Sequence, residues 1–312
     1  MKKKICIIGA TSYLGSKIAE KLKNSYDITL VSKKKISENI FDRGIKKIKF
    51  NFNSNSNNYL KLKLNKFNVL IYCISKNHFN SELNLENTLK VNVSYLIRVF
   101  EILKNKKRKP IIIYLSTAQL YGSLSNNKKI YTEESKTVCN NVYSLTHKIC
   151  EDVFYQYFRK YKFTGYILRL SNIYGNPALK NASCWWLVLN SFVRSAIKNN
   201  QINISSDGTP LRDFVYIDDF VSFINYLINK KCDKINLINF SSGKSFAISE
   251  LASLVDRILN KKIDINFKIK KKIGFNKDKR DIISNEKLKK IGFMRSTSLH
   301  MGIKKFIDEF KK

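Results

Sequence analysis

The chain has 312 residues, of which 44% are hydrophobic and 12% aromatic, enough for a large buried core and too apolar for a disordered chain. Its formal net charge of +34 would suit a polyanion or an anionic membrane face. Lys, Asn and Ile abound throughout, however, including the loop residues 53–58, and the lysines gather on no periodic face, so compositional drift of an AT-rich genome accounts for the charge and a nucleic-acid partner is not expected.

In chain order, Met1–Lys4 and the apolar run Ile5–Ala10 imitate a signal peptide. The run is too short, and it leads into a polar helix instead of a cleavage site. No stretch reaches the ~18 apolar residues that a membrane span needs, which predicts a cytoplasmic protein with no span. Strands are predicted at Lys4–Ile8, Ile28–Ser32, Ile48–Phe52, Val69–Ile74, Ile111–Ser116 and Tyr166–Leu170. Helices are predicted at about Tyr13–Lys23, Leu83–Leu103 and Val142–Tyr161. The strands are apolar without alternation, as in a parallel sheet covered on both faces, and the βα rhythm predicts an α/β fold with a Rossmann-like doubly wound sheet. After Gly175 the rhythm changes. A helix (Leu187–Asn199), a short strand (Ile202–Ile204), a helix (Asp219–Ile228), a strand (Lys234–Phe240) and helices at Ser249–Leu259 and Leu299–Phe310 suggest a smaller α+β lobe. The expected division is a nucleotide-binding domain over residues 1–175, with 213–240 returning to it, and a substrate lobe over 176–312. Lysine-rich stretches at Lys33–Lys35 and Lys268–Lys272 read as solvated loops. Cys6, Cys73, Cys139, Cys150, Cys184 and Cys232 stand far apart with no C-x-x-C, and they read as free thiols of a reducing compartment.

The first strand runs into Gly9-Ala10-Thr11-Ser12-Tyr13-Leu14-Gly15 and then a helix. A dinucleotide fold needs glycine here, because the backbone must turn tightly, approach a pyrophosphate and let the helix pack close to the sheet. Ser12 stands where a middle glycine is usual.

Together with later segments, this loop makes the chain resemble the extended short-chain dehydrogenases, the NAD-dependent epimerase/dehydratase family, over roughly residues 4–294. Val91-Asn92-Val93 is similar to the family's N-V helix motif. Leu115-Ser116-Thr117-Ala118-Gln119-Leu120-Tyr121-Gly122 resembles S-[ST]-x-x-x-Y-G, and Tyr143 with Thr146 and Glu151 resembles the Y-x-x-[ST]-K-x-x-x-E helix. Leu168–Gly175 resembles L-R-x-x-N-[VI]-Y-G, and Arg212–Asp219 resembles R-D-F-V-Y-V-D-D. The resemblance implies an NAD(P)-dependent oxidoreductase acting on a nucleoside-diphosphate sugar, a homodimer built on helices 83–103 and 142–161, and a role in polysaccharide biosynthesis. It assigns catalysis to Tyr143, Thr117 and the position of His147. It assigns cofactor contacts to Gly9, Thr11, Ser12, Tyr13, Leu14, Gly15, Ser32, Lys33, Asn51, Phe52, Ile74, Asn92, Tyr143 and His147. Substrate contacts fall to Thr117, Asn172, Arg212 and Arg280, the arginines meeting phosphate. Asp218 and Asp219 are expected to open the next helix, one as its N-cap, and not to bind metal. Trp185 and Trp186 are expected to pack the lobe or a dimer surface.

The catalytic tyrosine of this family works as acid and base at a sugar hydroxyl, helped by a lysine one helical turn on. An ammonium ~4 Å from the phenolate is worth about 4 kcal/mol at an effective dielectric of about 20, or roughly three pKa units. That position holds His147, and Lys148 comes one residue late, rotated by roughly 100° around the helix. Either His147 is protonated in place, or the oxidised cofactor's charge suffices, or the enzyme is slow or inactive. An impaired cofactor-binding scaffold or nucleic-acid binder is the rival reading, motivated by His147, Ser12 and the charge. Dehydratases of the family carry Asp-Glu after the active-site Ser/Thr. Ala118-Gln119 can do no acid–base work, which leaves an epimerase or a 4-keto reductase. Val31-Ser32-Lys33-Lys34-Lys35 lacks the carboxylate that binds a ribose 2′-hydroxyl, which leans the cofactor from NAD toward NADP.

Overall fold

A computed structural model of the chain describes residues 1–33, 36, 45–50, 52, 63–269 and 279–311. The first half lays down β1 (Lys4–Ile8), α1 (Tyr13–Leu22), β2 (Asp27–Ser32), β3 (Lys46–Lys49), β4 (Val69–Tyr72), α2 (His78–Glu82), α3 (Leu85–Leu89), α4 (Tyr95–Leu103), β5 (Ile111–Thr117), β6 (Ile130–Tyr131), α5 (Val142–Tyr161), β7 (Gly165–Leu170) and β8 (Asn172–Tyr174). The second adds α6 (Val188–Asn199), β9 (Gln201–Ile204), β10 (Leu211–Arg212), β11 (Phe214–Tyr216), α7 (Ile217–Asn229), β12 (Ile235–Phe240), β13 (Phe246–Ala247), α8 (Ile248–Leu259), β14 (Asp264–Phe267), β15 (Ile282–Ile283), α9 (Glu286–Lys290) and α10 (Leu299–Phe310).

The main sheet has seven strands in the order β12-β7-β5-β4-β1-β2-β3, all paired in parallel. Alternate residues of each central strand enter different cores. Ile5, Ile7, Val69, Ile71, Ile113 and Leu115 belong to the core that also takes in side chains of α1, α6, α7, α8 and α10. Cys6, Ile8, Leu70, Tyr72, Ile112 and Tyr114 face α4 and α5. This is why the strands read as continuously apolar, and it is the Rossmann-like doubly wound arrangement. Chain order reverses between β1 and β4, so a crevice opens at their carboxyl ends, where such folds seat ligands. Among the described residues, no helix is long and apolar enough to cross a membrane.

Several elements differ from the sequence expectation. The helix predicted over 83–103 is α3 and α4 joined by a π-helical turn at Lys90–Ser94. The third strand ends at Lys49, short of the predicted Phe52. The strand predicted near 234–240 runs Ile235–Phe240 and forms the far edge of the main sheet, beside β7. The later chain also adds short pairs, β8 with β11, β9 with β14, β10 with β13 and β6 with β15. The N-cap of α7 is Tyr216, so Asp218 and Asp219 both lie inside the first turn and neither caps it. Asp219 instead accepts hydrogen bonds from Thr297 N and Oγ1 and from Ser296 Oγ, tying α7 to the segment that leads into α10.

Candidate active site

The loop after β1 is shaped around close backbone approach. Gly9 has φ +88°, and a Cβ there would lie 2.8 Å from the Cys73 carbonyl carbon and 3.0 Å from Ile74 N. A Cβ on Gly15 would fall 2.6 Å from Gly9 O. Ser12, in the place of the middle glycine, is the N-cap of α1 and accepts from Gly15 N at 3.1 Å. Among the described residues, nothing accepts from the backbone N–H groups of Thr11, Tyr13 and Leu14, so the start of α1 keeps donors for a diphosphate. This is the fit that a dinucleotide requires.

The other predicted cofactor residues have varied surroundings. Thr11 Oγ1 lies 3.0 Å from Ser32 Oγ at the end of β2, and Lys33 beside it is exposed. Tyr13 turns its hydroxyl away from the loop and donates to Gly175 O at 2.8 Å. Leu14 is half-buried against the helix-side core. Phe52 is buried in the other core, edge-on to Phe50 and 5.5 Å from the Tyr95 ring. Ile74 brings its backbone beneath Gly9. Asn51 lies outside the described residues. Asn92 is buried and fully engaged. Its Oδ1 accepts from Lys76 N (2.8 Å), its Nδ2 donates to Thr146 Oγ1 (2.9 Å) and its carbonyl accepts from Cys150 Sγ (3.2 Å). The π-helical turn aims it there, pinning the loop after β4 to α5.

Helix α5 is set by a capping box in which Asn141 Oδ1 accepts from Ser144 N at 2.8 Å, placing Tyr143 in the first turn. His147, Cys150, Glu151 and Phe154 recur at helical spacing and are all buried. Glu151 pairs with Arg169 of β7 at 2.7 Å and accepts from Ser116 Oγ at 2.6 Å, clamping α5 to β5 and β7. The half-buried Tyr143 then meets Thr117, at the carboxyl end of β5. Burial pushes the phenol up to about 12, against the opposing pull of the neighbouring Thr117 and Ser75 hydroxyls.

His147 shares the Tyr143 face, its ring centroid 4.5 Å from the tyrosine's. It is 2% exposed, with Nδ1 2.7 Å from Tyr114 Oη and Nε2 3.2 Å from Ser75 Oγ. Burial takes its pKa down to about 3, so the imidazole is neutral at ordinary pH. The alternative in which a protonated His147 stands in for lysine is thereby corrected. Lys148 points outward and pairs with Asp152, one turn along α5.

On the substrate side, Asn172 donates through Nδ2 to Asp213 O at 2.9 Å, and β8 and β11 run side by side there. Arg212 is half-buried, and its one hydrogen bond among the described residues goes to Leu211 O at 2.8 Å. No carboxylate among them pairs with it, and burial lowers its pKa. Arg280 differs. It pairs with both carboxylate oxygens of Glu250 at 2.8 Å and donates to Ser245 O, so the phosphate role expected of it meets a guanidinium already engaged. Trp185 packs on Phe310 with Arg194 over its face, while Trp186, 38% exposed, meets Phe79 edge-on at 5.4 Å.

Sequence reasoning passed over three residues at this site: Ser75, Tyr114 and His78. The His78 ring stands 6.4 Å from that of Tyr143, and its Nδ1 is buried with no hydrogen-bond partner among the described residues. Ser75 and His78 follow the carboxyl end of β4, and that position in the sheet order was the available signal. No group of residues that could hold a metal is present among those described.

A parallel sheet with a glycine-shaped loop at its switch point, and a tyrosine of α5 near the threonine that ends β5, defines a Rossmann-like α/β protein. Residues 5–239 match the NAD dependent epimerase/dehydratase family, and the chain belongs to it. It is 24% identical over 314 residues to a putative UDP-glucose 4-epimerase of Methanocaldococcus jannaschii, covering 98% of each chain. It is 27% identical over 281 residues to a dTDP-D-glucose 4,6-dehydratase of Dictyostelium discoideum, covering 82% of this chain and 62% of that one. A trifunctional dehydratase/epimerase/reductase of Arabidopsis thaliana is 23% identical, and there the chain spans 46% of the relative's length. Among solved structures, MoeE5 in complex with UDP-glucuronic acid and NAD superposes with a TM-score of 0.83 at 17% identity, covering 99% of both chains. UDP-glucose 4-epimerase of Thermotoga maritima with UDP-glucose gives 0.81 at 20% identity, covering 99% of this chain and 98% of that one. At such identity these structures speak for the fold.

Proposed function

We propose that the protein is an NAD(P)-dependent oxidoreductase of nucleoside-diphosphate sugars, an epimerase or 4-keto reductase, with Tyr143 as its acid–base group. The observation that carries this reading is the placement of Tyr143, in the first turn of α5, near Thr117 at the carboxyl end of β5, on the same sheet edge as the Gly9–Gly15 loop. The relatives named above for sugar nucleotides and the neighbour bound to UDP-glucuronic acid and NAD support it.

In this reading the backbone donors of Thr11, Tyr13 and Leu14 hold the cofactor diphosphate. When bound, the nicotinamide gives or takes a hydride at the sugar carbon. Thr117 orients the reacting oxygen, Tyr143 passes its proton, and Arg212 binds the sugar-nucleotide diphosphate as a bidentate cation. Dehydration is not proposed, because Ala118 is buried and apolar and the amide of Gln119 cannot exchange a proton. The described end of β2 offers Ser32 and Lys33 and no carboxylate, which supports acceptance of NADP as well as NAD. A substrate lobe over residues 176–312, pairing of two copies through α3–α4 and α5, and a cytoplasmic location complete the proposal.

The test is incubation of the purified protein with UDP-, dTDP-, GDP- and CDP-hexoses and their 4-keto forms, with NAD(H) and NADP(H), following nicotinamide absorbance and sugar products. The reading predicts cofactor-dependent conversion of at least one of them. Salt-sensitive RNA binding without any conversion would favour the scaffold instead.

A further inference from the structure

We propose that the edge of the main sheet formed by the amino ends of its strands is a docking face for an anionic lipid surface. The crevice of the candidate active site lies at the opposite, carboxyl edge, so a protein seated this way keeps that crevice open to solvent.

Along the sequence the cations share no periodic face, yet the topology gathers many of them. Strands β12, β7, β5, β4 and β1 are consecutive in the sheet and parallel. Ile235, Gly165 and Ile112 pair across β12, β7 and β5, and Ile111, Val69 and Ile5 pair across β5, β4 and β1, so the amino ends stand level. The segment entering each strand is basic. Lys or Arg fills all of 2–4, two of the four positions 63–66, five of the six positions 104–109, three of the four positions 159–162 and three of the five positions 230–234. Most of these cations are exposed. The same segments hold one carboxylate, Asp233, and Glu101 of α4 pairs with Lys104 at 2.7 Å. The loops leaving these strands at the carboxyl edge are the reverse. Positions 9–12 and 118–122 hold no Lys or Arg, and 73–77 and 241–245 hold one each. Helices α4, α5 and α7 end at the amino edge, where a cation or two offsets the negative end of each dipole. That effect is confined to the last turn, so it does not account for a run such as 104–109.

The form of this edge selects among polyanions. A single-stranded nucleic acid stacks its bases on aromatic faces. Here ammonium groups take those places, with Lys66 over the Phe67 ring at 5.3 Å, Lys109 over Phe163 at 5.5 Å and Lys160 over Tyr161 at 5.5 Å. A duplex is read by a helix or a β-ribbon laid in its groove, and helix N-termini meet its phosphates. This edge presents helix carboxyl ends and loops instead. A level row of cations across five strands, roughly 19 Å wide at ~4.8 Å per strand, matches a plane of charge. Each Lys or Arg near an anionic leaflet strengthens binding by about 5-fold. None of the five segments holds an exposed large apolar side chain, so attachment is by charge and weakens with salt.

The experiment uses the full chain at ~0.15 M salt. Vesicles of phosphatidylcholine alone, and vesicles with about 30% phosphatidylglycerol, are titrated by co-sedimentation. Duplex DNA and duplex RNA at matched phosphate concentration are titrated by fluorescence anisotropy. Binding should require the anionic lipid and exceed binding to either duplex by at least ~10-fold. The triple variant Lys106→Gln, Lys107→Gln, Arg108→Gln should bind anionic vesicles ~100-fold more weakly. A second triple variant in neighbouring loops, Arg159→Gln, Lys231→Gln, Lys234→Gln, should do the same, and thermal melts report that each is folded. The same charge removed from exposed positions of α6 and α10, in Lys198→Gln, Lys304→Gln, Lys305→Gln, should change vesicle binding by less than ~5-fold. Equal losses in all three variants would mean that net charge and not this edge binds, and would overturn the proposal. So would a duplex bound as tightly as the anionic vesicles, which would make the edge a nucleic-acid site, or no binding to those vesicles at all.

Discussion

His147 Nδ1 stands 2.7 Å from the phenol oxygen of Tyr114, so an imidazole on α5 is sealed against the sheet by a hydroxyl from β5. Its pKa is brought down by burial from the usual 6.5 to about 3. Below the unfolded value the unfolded chain takes up a proton that the fold refuses, so stability falls as pH drops from ~6.5 toward ~3. The slope from this one residue reaches ~1.4 kcal/mol per pH unit, a total on the order of 5 kcal/mol. Urea denaturation at a series of pH values should show this loss in wild type and lack it in His147→Gln. Parallel curves for the two proteins would mean that the imidazole is not held neutral.

The two arginines assigned to phosphate should separate cleanly. Arg212 bonds one backbone carbonyl and no described carboxylate, so Arg212→Met should leave the melting temperature unchanged or slightly higher. It should weaken nucleotide-sugar binding by ~10- to 100-fold, the ~1.5–3 kcal/mol of hydrogen bonds to a charged group. Arg280 holds Glu250, whose Oε2 also accepts from Ala247 N at the start of α8. Arg280→Met should therefore lower stability by about 1–3 kcal/mol with little change in ligand affinity. Calorimetric titration with a UDP-sugar alongside thermal melts distinguishes them, and equal affinity losses would place both at the phosphates.

The buried Glu151–Arg169 pair is a second stability test. Arg169 also donates to Tyr121 Oη at 2.9 Å and to Glu133 O at 3.2 Å. Removing one partner strands the other's charge, so Glu151→Gln or Arg169→Met should cost about 3–5 kcal/mol. The double variant Glu151→Leu, Arg169→Met should recover part of that in denaturant melts. A single-variant loss below ~1 kcal/mol would show that water reaches the pair.

The sheet was legible because both of its faces are covered, which writes β1 and β4 as unbroken apolar runs and β5 and β7 as apolar runs interrupted only near their carboxyl ends. Helix α5 was legible to the residue, since its cap and its buried period agree. The helix predicted over 83–103 was not, because the π-helical turn around Asn92 arises from a tertiary demand, the tie between Lys76 N and Thr146 Oγ1, that leaves no local pattern. The same limit applies at the site. Tyr143, Thr117 and Arg212 sit in motifs whose spacing carries their identity. Ser75, His78 and Tyr114 reach the site through strand order, which single-sequence spacing does not encode. Sequence placed His147 in the lysine position, but its neutrality depends on how deeply α5 is packed.

The serine in the glycine loop separates phosphate binding from helix capping. Ser12 sits at the N-cap of α1 in extended backbone (φ −72°), a conformation any residue adopts, and its Oγ accepts from Gly15 N. Ser12→Gly should therefore cost only a few tenths of a kcal/mol, and Ser12→Ala about 1 kcal/mol, with cofactor affinity held within ~3-fold in both. Gly15 has no such latitude, because a methyl there would press on Gly9 O at 2.6 Å and Ser12 Oγ at 2.9 Å. Gly15→Ala must push α1 away from the loop and displace the N–H groups of Tyr13 and Leu14 together, so NADH and NADPH affinity should fall by at least ~10-fold. Nicotinamide fluorescence titration of the three variants reads this directly. Equal losses for Ser12→Gly and Gly15→Ala would mean that the phosphate is held by the Ser12 side chain, and not by the backbone that the glycines shape.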